Sequence, residues 1–194
     1  YENGQLAVKT NYKDGKVVDG PYEAYHENGQ LRSKTTYKNG ALDGLEETYY
    51  ENGQLSFKQN HKDGELHGLY EKYHENGQLR NKTTYKDGQW ELIEVYYKNG
   101  QLSYKKNYKD GEVQGLVEYY YENGQLSSKQ NHKDGELHGL YENYHENGQL
   151  DEKANYKDGD KHGMLTNYDE DGKERPWSPR CYQNDEEVDM SNCK

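Results

Sequence analysis

The chain reads as short alternating runs of apolar and polar residues, each closed by a glycine-bearing turn. At 52–61, Asn-Gly is followed by Gln-Leu-x-x-Lys-x-x-His, a run of about eight residues that suits one strand. A Lys-Asp-Gly turn comes next, then a glycine and Leu-Tyr-Glu-x-Tyr-His over 69–74, which suits a second strand. Asn-Gly and Asp-Gly between such runs are strong hairpin signals, because a type I′ turn needs positive φ at both central residues. Both turns of the unit are therefore expected to be type I′. Glycine recurs too often for helix, and Tyr, Asn and Thr are mediocre helix formers. The pattern predicts an all-β chain.

The unit repeats, and the repeat is the main message of the sequence. Asn-Gly-Gln-Leu begins at Asn3, Asn28, Asn52, Asn76, Asn99, Asn123 and Asn147, at spacings of 25, 24, 24, 23, 24 and 24 residues. A degenerate eighth copy starts at Asp171-Gly172. First-turn glycine to second-turn glycine is 11 residues in all seven units, whereas the return varies from 12 to 14. Residues 51–79 and 122–150 are one string except at Phe57/Ser128 and Lys72/Asn143, which reads as segmental duplication.

Stacked units align equivalent residues into columns. The first strand carries a leucine in every unit (Leu6 to Leu150) and, six residues on, Tyr or His (Tyr12 to Tyr156). The second carries Tyr25 to Tyr168 and, four residues earlier, Leu45, Leu69 and their equivalents. Period-2 alternation places each pair on one side of its strand, and these columns are the expected core. A lysine column (Lys9 to Lys153) and a glutamate column (Glu23 to Glu142) are expected to pair across strands.

Composition adds a tension. Leu, Ile, Val and Phe supply only 25 of the 194 residues, 31% are charged and the net charge is −11, a balance that resembles disorder. The columns resolve it, since 22 tyrosines can stabilise a thin sheet with little aliphatic content. No apolar run approaches the ~20 residues of a membrane-spanning helix. Acidity disfavours nucleic acid and anionic lipid as direct partners. Catalysis needs an asymmetric cluster with perturbed pKa values, whereas these carboxylates recur in equivalent settings, so neither an enzyme nor a cofactor is expected. His61/His67 and His132/His138 could in principle chelate across a hairpin. Other units lack both histidines and no third ligand accompanies them, so no metal site is expected.

The unit Tyr-Lys-Asp-Gly-x-x-x-Gly-x-x-x-x-Tyr-x-x-Asn-Gly-Gln-Leu, in phase over about residues 1–175, resembles the MORN repeat variant common in bacterial proteins. The resemblance implies successive antiparallel β-hairpins, about seven units of 24 residues, in one elongated, twisted sheet with a groove. Bacterial proteins of this type are often labelled YwqK-family antitoxins, which implies an immunity role; eukaryotic relatives are associated with membranes and scaffolding. The motif brings no catalytic residue with it. The fourth unit departs from it: Gly88-Gln89-Trp90-Glu91-Leu92-Ile93 is one residue short, Glu91 replaces a glycine, and Lys98 stands where other units have Glu. Trp90 reads either as a packing irregularity or as a binding hot spot.

The chain begins in mid-repeat without a Met and reads as a fragment. Periodicity is expected to stop near Arg175, leaving 176–194 as a capping segment for the array. Its Cys181 and Cys193 flank a plausible last hairpin, and a disulfide is favoured over free thiols, which leans towards an extracytoplasmic compartment. A surface-like column of His26, Tyr50, His74, Tyr97, Tyr121 and His145 precedes the Asn-Gly turns and, with Trp90, is the candidate protein-binding surface. The expected function is therefore a binding module for a basic protein, of antitoxin or immunity type. The alternative is a surface scaffold or self-assembling spacer.

Overall fold

The structure, a computed structural model, describes residues 1–86 and 88–193; Asp87, in the fourth Lys-Asp-Gly turn, and Lys194 lie outside the described residues. Among the described residues, nineteen strands and one 3-10 turn, Met190–Asn192, make up the regular structure. The chain is all-β, built of antiparallel hairpins. It forms two compact units: Tyr1–Glu91 with Lys98–Gly100, and Leu92–Tyr97 with Gln101–Lys194. The border falls in the irregular fourth repeat.

In the first unit, β1 (Val8–Lys13), β2 (Lys16–Tyr25), β3 (Leu31–Lys38), β4 (Ala41–Leu42), β5 (Gly44–Tyr49), β6 (Leu55–Lys62), β7 (Glu65–Tyr73) and β8 (Leu79–Lys86) follow one another in an open antiparallel meander. Strand β9 (Gln89–Tyr96) crosses the border. The second unit continues with β10 (Leu102–Lys109), β11 (Glu112–Val113), β12 (Gly115–Tyr120), β13 (Leu126–Lys133), β14 (Glu136–Tyr144), β15 (Leu150–Lys157), β16 (Asp160–Lys161) and β17 (Gly163–Asn167). It ends with β18 (Arg180–Gln183) and β19 (Glu186–Val188). Its strands form the same kind of meander, neighbour to neighbour.

The two turns of each repeat differ, contrary to the expectation of type I′ for both. At the second turn both residues have positive φ, as at Asp63 (52°) and Gly64 (89°), which is type I′. At the first turn only the glycine does. Gly53 has φ 83°, its N–H donates to Tyr50 O, and Tyr50 N–H donates to Gln54 O. That is a type I turn closed by a G1 bulge. A side chain at Gly53 is excluded twice over, because a Cβ there would stand 2.8 Å from Gln30 Oε1 of the preceding repeat.

A second bulge revises the expected core. Tyr25 lies opposite Leu31, but Ala24 lies opposite Ser33, so Arg32 is an extra residue in β3. One inserted residue reverses every later side chain. Leu31 therefore shares a face with Tyr25, whereas Tyr37 lies on the other face, its ring 6.1 Å from that of Tyr22. The same shift recurs at Tyr49/Leu55, Tyr73/Leu79, Tyr120/Leu126 and Tyr144/Leu150. The Leu–Tyr columns of the first strand are thus split between faces. In the second strand, Leu45 and Met164 remain 44% and 41% exposed. Apart from Cys181, which lies opposite Met164, the fully buried residues lie on the other face, at Ala24, Val117, Ala154 and Leu165. In the second unit, Ala154, Leu165 and Tyr182 pack with Tyr141 and Tyr156 into a small core.

The repeat register also outlasts the expected stop at Arg175. Gly163, Met164 and Leu165 face Tyr182, Cys181 and Arg180, as Gly139, Leu140 and Tyr141 face Tyr156, Asn155 and Ala154. Strand β18 is structurally the first strand of the next repeat, and Tyr182 occupies the position of Tyr156. The turn at Asn184-Asp185 has positive φ at both residues, like every second turn that the structure describes in full. Asp185 N–H donates to Lys161 O as Gly159 N–H donates to Leu137 O. Pro176–Pro179 shifts the phase, which hid this relation from the periodicity. Cys181 and Cys193 are joined in a disulfide, tying the end of the chain to β18.

Candidate interaction surfaces

Three surfaces follow from this register: a charged face, a variable face and the edge formed by the first turns.

The charged face is uniform from repeat to repeat. Lys9, Glu23, Lys34, Glu47, Lys58, Glu71 and Lys82 follow one another across the strands of the first unit. Glu94, Lys105, Glu118, Lys129, Glu142 and Lys153 do so in the second. Each interior charge of these series is thereby flanked by opposite charges one strand away, about 4.8 Å. The expected Lys–Glu pairs form at Lys9–Glu23 (3.2 Å), Lys34–Glu47 (2.5 Å), Lys58–Glu71 (2.6 Å) and Lys153–Glu142 (3.5 Å). A tyrosine completes each cluster: the hydroxyls of Tyr25, Tyr49, Tyr73 and Tyr144 donate to the glutamate two residues earlier. The Tyr25 hydroxyl and then the Lys9 ammonium hold the Glu23 carboxyl below its ordinary range. Burial opposes the charge of Glu47, yet Lys34 and Tyr49 outweigh it and lower that carboxyl too. Reciprocally, Glu47 and Glu71 raise the ammonium groups of Lys34 and Lys58.

The turn edge accounts for the Asn-Gly-Gln signature. In at least six first turns the asparagine Oδ1 accepts from the N–H two residues on, as Asn52 does from Gln54 at 3.0 Å. The Nδ2 of the same asparagine donates to a turn carbonyl of the following repeat, as Asn28 does to Glu51 O (2.9 Å) and Asn52 to Glu75 O (3.0 Å). The column proposed as a binding surface lies beside this edge and is half-buried. His26 Nε2 bonds to Tyr49 O, and Tyr50 Oη donates to Tyr73 O. Tyr97 and Tyr121 donate to Tyr120 O and Tyr144 O, and His145 Nε2 lies 3.4 Å from Tyr168 O. His74 belongs to the column, but its buried Nε2 makes no hydrogen bond. Trp90 is 48% exposed, at the start of β9 and away from this column's ladder. The ladder's partners are 23 residues apart, and no local pattern announced it.

The variable face carries different chemistry in each repeat. Tyr22, Glu46, Tyr70, Ile93, Val117, Tyr141 and Leu165 share one column, and Ala24, Thr48, Lys72, Val95, Tyr119, Asn143 and Asn167 share its neighbour. In the first unit Glu46 Oε2 accepts from buried His61 (2.8 Å) and from Gln59 (2.6 Å). In the second, the Lys106 ammonium lies over the rings of Tyr104 (5.0 Å) and Tyr119 (5.2 Å). Burial and then the Lys106 charge lower the pKa of nearby His132. Among the described residues, no group of three or more His, Cys, Asp or Glu side chains converges to hold a metal ion, and no helix is long and apolar enough to cross a membrane.

An open hairpin array with two self-bonded surfaces and one variable face defines a β-repeat protein of the binding or scaffolding kind. The chain matches the MORN repeat variant at residues 1–14, 18–39, 42–63, 66–87, 92–110, 113–134 and 137–158, and it belongs to that family. No curated protein matches it.

Proposed function

We propose that this chain is a non-enzymatic protein-binding module that reads its partner on the variable face. One observation carries the reading. The duplicated strings 51–79 and 122–150 differ at two positions only, and those positions face each other: Phe57 lies opposite Lys72, and Ser128 opposite Asn143. Both pairs point to the variable face, where Phe57 stacks on Tyr70. The charged face and the turn edge of the two copies are identical, as surfaces bonded to their own neighbours should be. Ser128 is buried, whereas Phe57, Lys72 and Asn143 stay partly exposed. Divergence confined to this cross-strand pair supports recognition there, through tyrosines that offer large contact area at small entropic cost.

The net charge of −11 favours a basic protein as partner through electrostatic steering. The finer reading is an immunity protein that masks a basic toxin, and the disulfide supports an oxidising, extracytoplasmic setting for it. Affinity capture from the native host, run with the wild-type chain and with Tyr104→Ala/Tyr119→Ala, tests the module. A basic protein retained by the first and lost from the second supports it; equal retention sinks the variable face as the reading surface. Growth rescue when the captured protein is co-expressed with this chain tests the immunity role.

The scaffold reading draws on the same duplication, since one copy of the 29-residue string lies in each compact unit and array length is evidently tolerated. Concentration-dependent light scattering that shows growing assemblies would favour it; a monomer at all concentrations rejects it.

A further inference from the structure

The chain holds eight Asn-Gly dipeptides, and their side chains are not equivalent. We propose that Asn39 is a site of spontaneous deamidation, and that the asparagine ladder shields the Asn-Gly-Gln sites from the same reaction. Asn-Gly is the dipeptide most open to this chemistry because glycine puts no Cβ in the way of the attacking nitrogen. The Gly40 backbone nitrogen forms a bond to Asn39 Cγ, the Cγ–Nδ2 bond breaks, and ammonia leaves carrying the proton that Gly40 gave up. Water then opens the succinimide. Cleavage of its Cγ–N bond gives aspartate, and cleavage of its backbone C–N bond gives isoaspartate.

The two kinds of site differ in every group that this step uses. Asn28 holds Gln30 N–H on Oδ1 and Glu51 O on Nδ2, so its carboxamide cannot turn without losing both bonds. The nucleophile is held as well, since Gly29 N–H donates to His26 O at 2.9 Å. Asn52 is pinned in the same way. Asn39 sits at the exposed tip of the two-residue turn between β3 and β4, with φ 53°, and its side chain makes no hydrogen bond to any described residue. Gly64, the equivalent of Gly40 one repeat on, donates its N–H to Leu42 O, whereas Gly40 makes no such bond. Asn184 also lies at a turn tip but precedes Asp185, whose side chain hinders attack.

The product matters to the fold. Asp14, Asp63, Asp110, Asp134 and Asp158 already occupy the position of Asn39 in other repeats, with φ between 48° and 54°. Hydrolysis to aspartate therefore restores the residue of the other units and adds one negative charge. Hydrolysis to isoaspartate inserts an extra backbone carbon into a two-residue turn and opens the hairpin.

Peptide mapping of the protein aged at mildly alkaline pH, folded and in urea, tests this. In the fold, Asn39 should convert roughly tenfold or more faster than Asn28 and Asn52, because those must first break their ladder bonds by local opening. In urea the three rates should converge. The acidic species seen on ion exchange should vanish in Asn39→Asp, whose far-ultraviolet circular dichroism should match that of the parent. Equal rates in the folded protein, or the same rate ratio with and without urea, would overturn the proposal.

Discussion

Tyr50 and Asn52 show how much two side chains do in one first turn. Their polar groups join the turn to the next repeat at Tyr73 O and Glu75 O. Tyr50→Phe keeps the ring and strands a carbonyl, so it should lower stability by about 1 kcal/mol. Asn52→Ala removes the turn bond together with the ladder bond and should lower it by about 1–2 kcal/mol. Urea unfolding of the two variants checks both values, and a neutral Asn52→Ala would mean that the ladder is decorative. That these residues make turns was legible from Asn-Gly alone. Their second role was not, because the bonding partner lies 23 residues on and is a backbone carbonyl, which carries no sequence signature.

At the scale of strands, the alternating pattern disclosed the strands and placed the Leu–Tyr pairs of the second strand on one side, as found. It misassigned the faces of the first strand. The Leu–Tyr spacing of six implied a shared side, but the extra residue at Arg32 and its equivalents intervenes and leaves no mark on composition. The Lys and Glu columns were legible because each pair lies directly opposite in register. Their energetics are also the most open to pH. Glu23 and Glu47 have lowered carboxyl pKa values, so the unfolded chain binds more protons in the acid range; their stabilisation is present above the ordinary 4.5 and is lost as pH falls below it. Lys34 and Lys58 are raised, so theirs is complete below 10.5 and fades as pH climbs past it. The Tyr156 phenol, pushed up to about 12 by burial and then by the Glu152 charge, adds a loss that begins above 10. The urea midpoint should therefore trace a plateau that falls on both sides. On the alkaline side, phenolate absorbance should lag that of free tyrosine until unfolding. A midpoint unchanged between neutral pH and pH values above 10 would contradict the charged face as described.

For the whole molecule, the disulfide and the last hairpin bear on the second unit alone. Cys181 is buried beside β17, and Tyr182 belongs to the small core with Ala154 and Leu165. Reduction frees the chain end and should destabilise the second unit by about 2–3 kcal/mol, while the first unit keeps its hydrogen-exchange protection. Uniform loss of protection in both units would refute that separation. The cysteine pairing was readable from two residues and a turn between them. The role of 180–188 as a continuing repeat was not, because Pro176–Pro179 had broken the phase.

The asparagine ladder also has a direction. Asn28 and Asn52 each give a hydrogen bond towards the C-terminus, and the turn that gives also receives from the repeat before it. Chemically, such a repeat is a bifunctional monomer, with one donor end and one acceptor end. An in-phase copy inserted anywhere along the edge finds both of its valences met, so lengthening by duplication needs no compensating change. The turn at Asp169–Gly172 is monofunctional. Glu170 O accepts from Asn147, but Asp171 stands in place of the asparagine and has no N–H on its side chain to pass on. In polymer terms, Asp171 is the chain stopper.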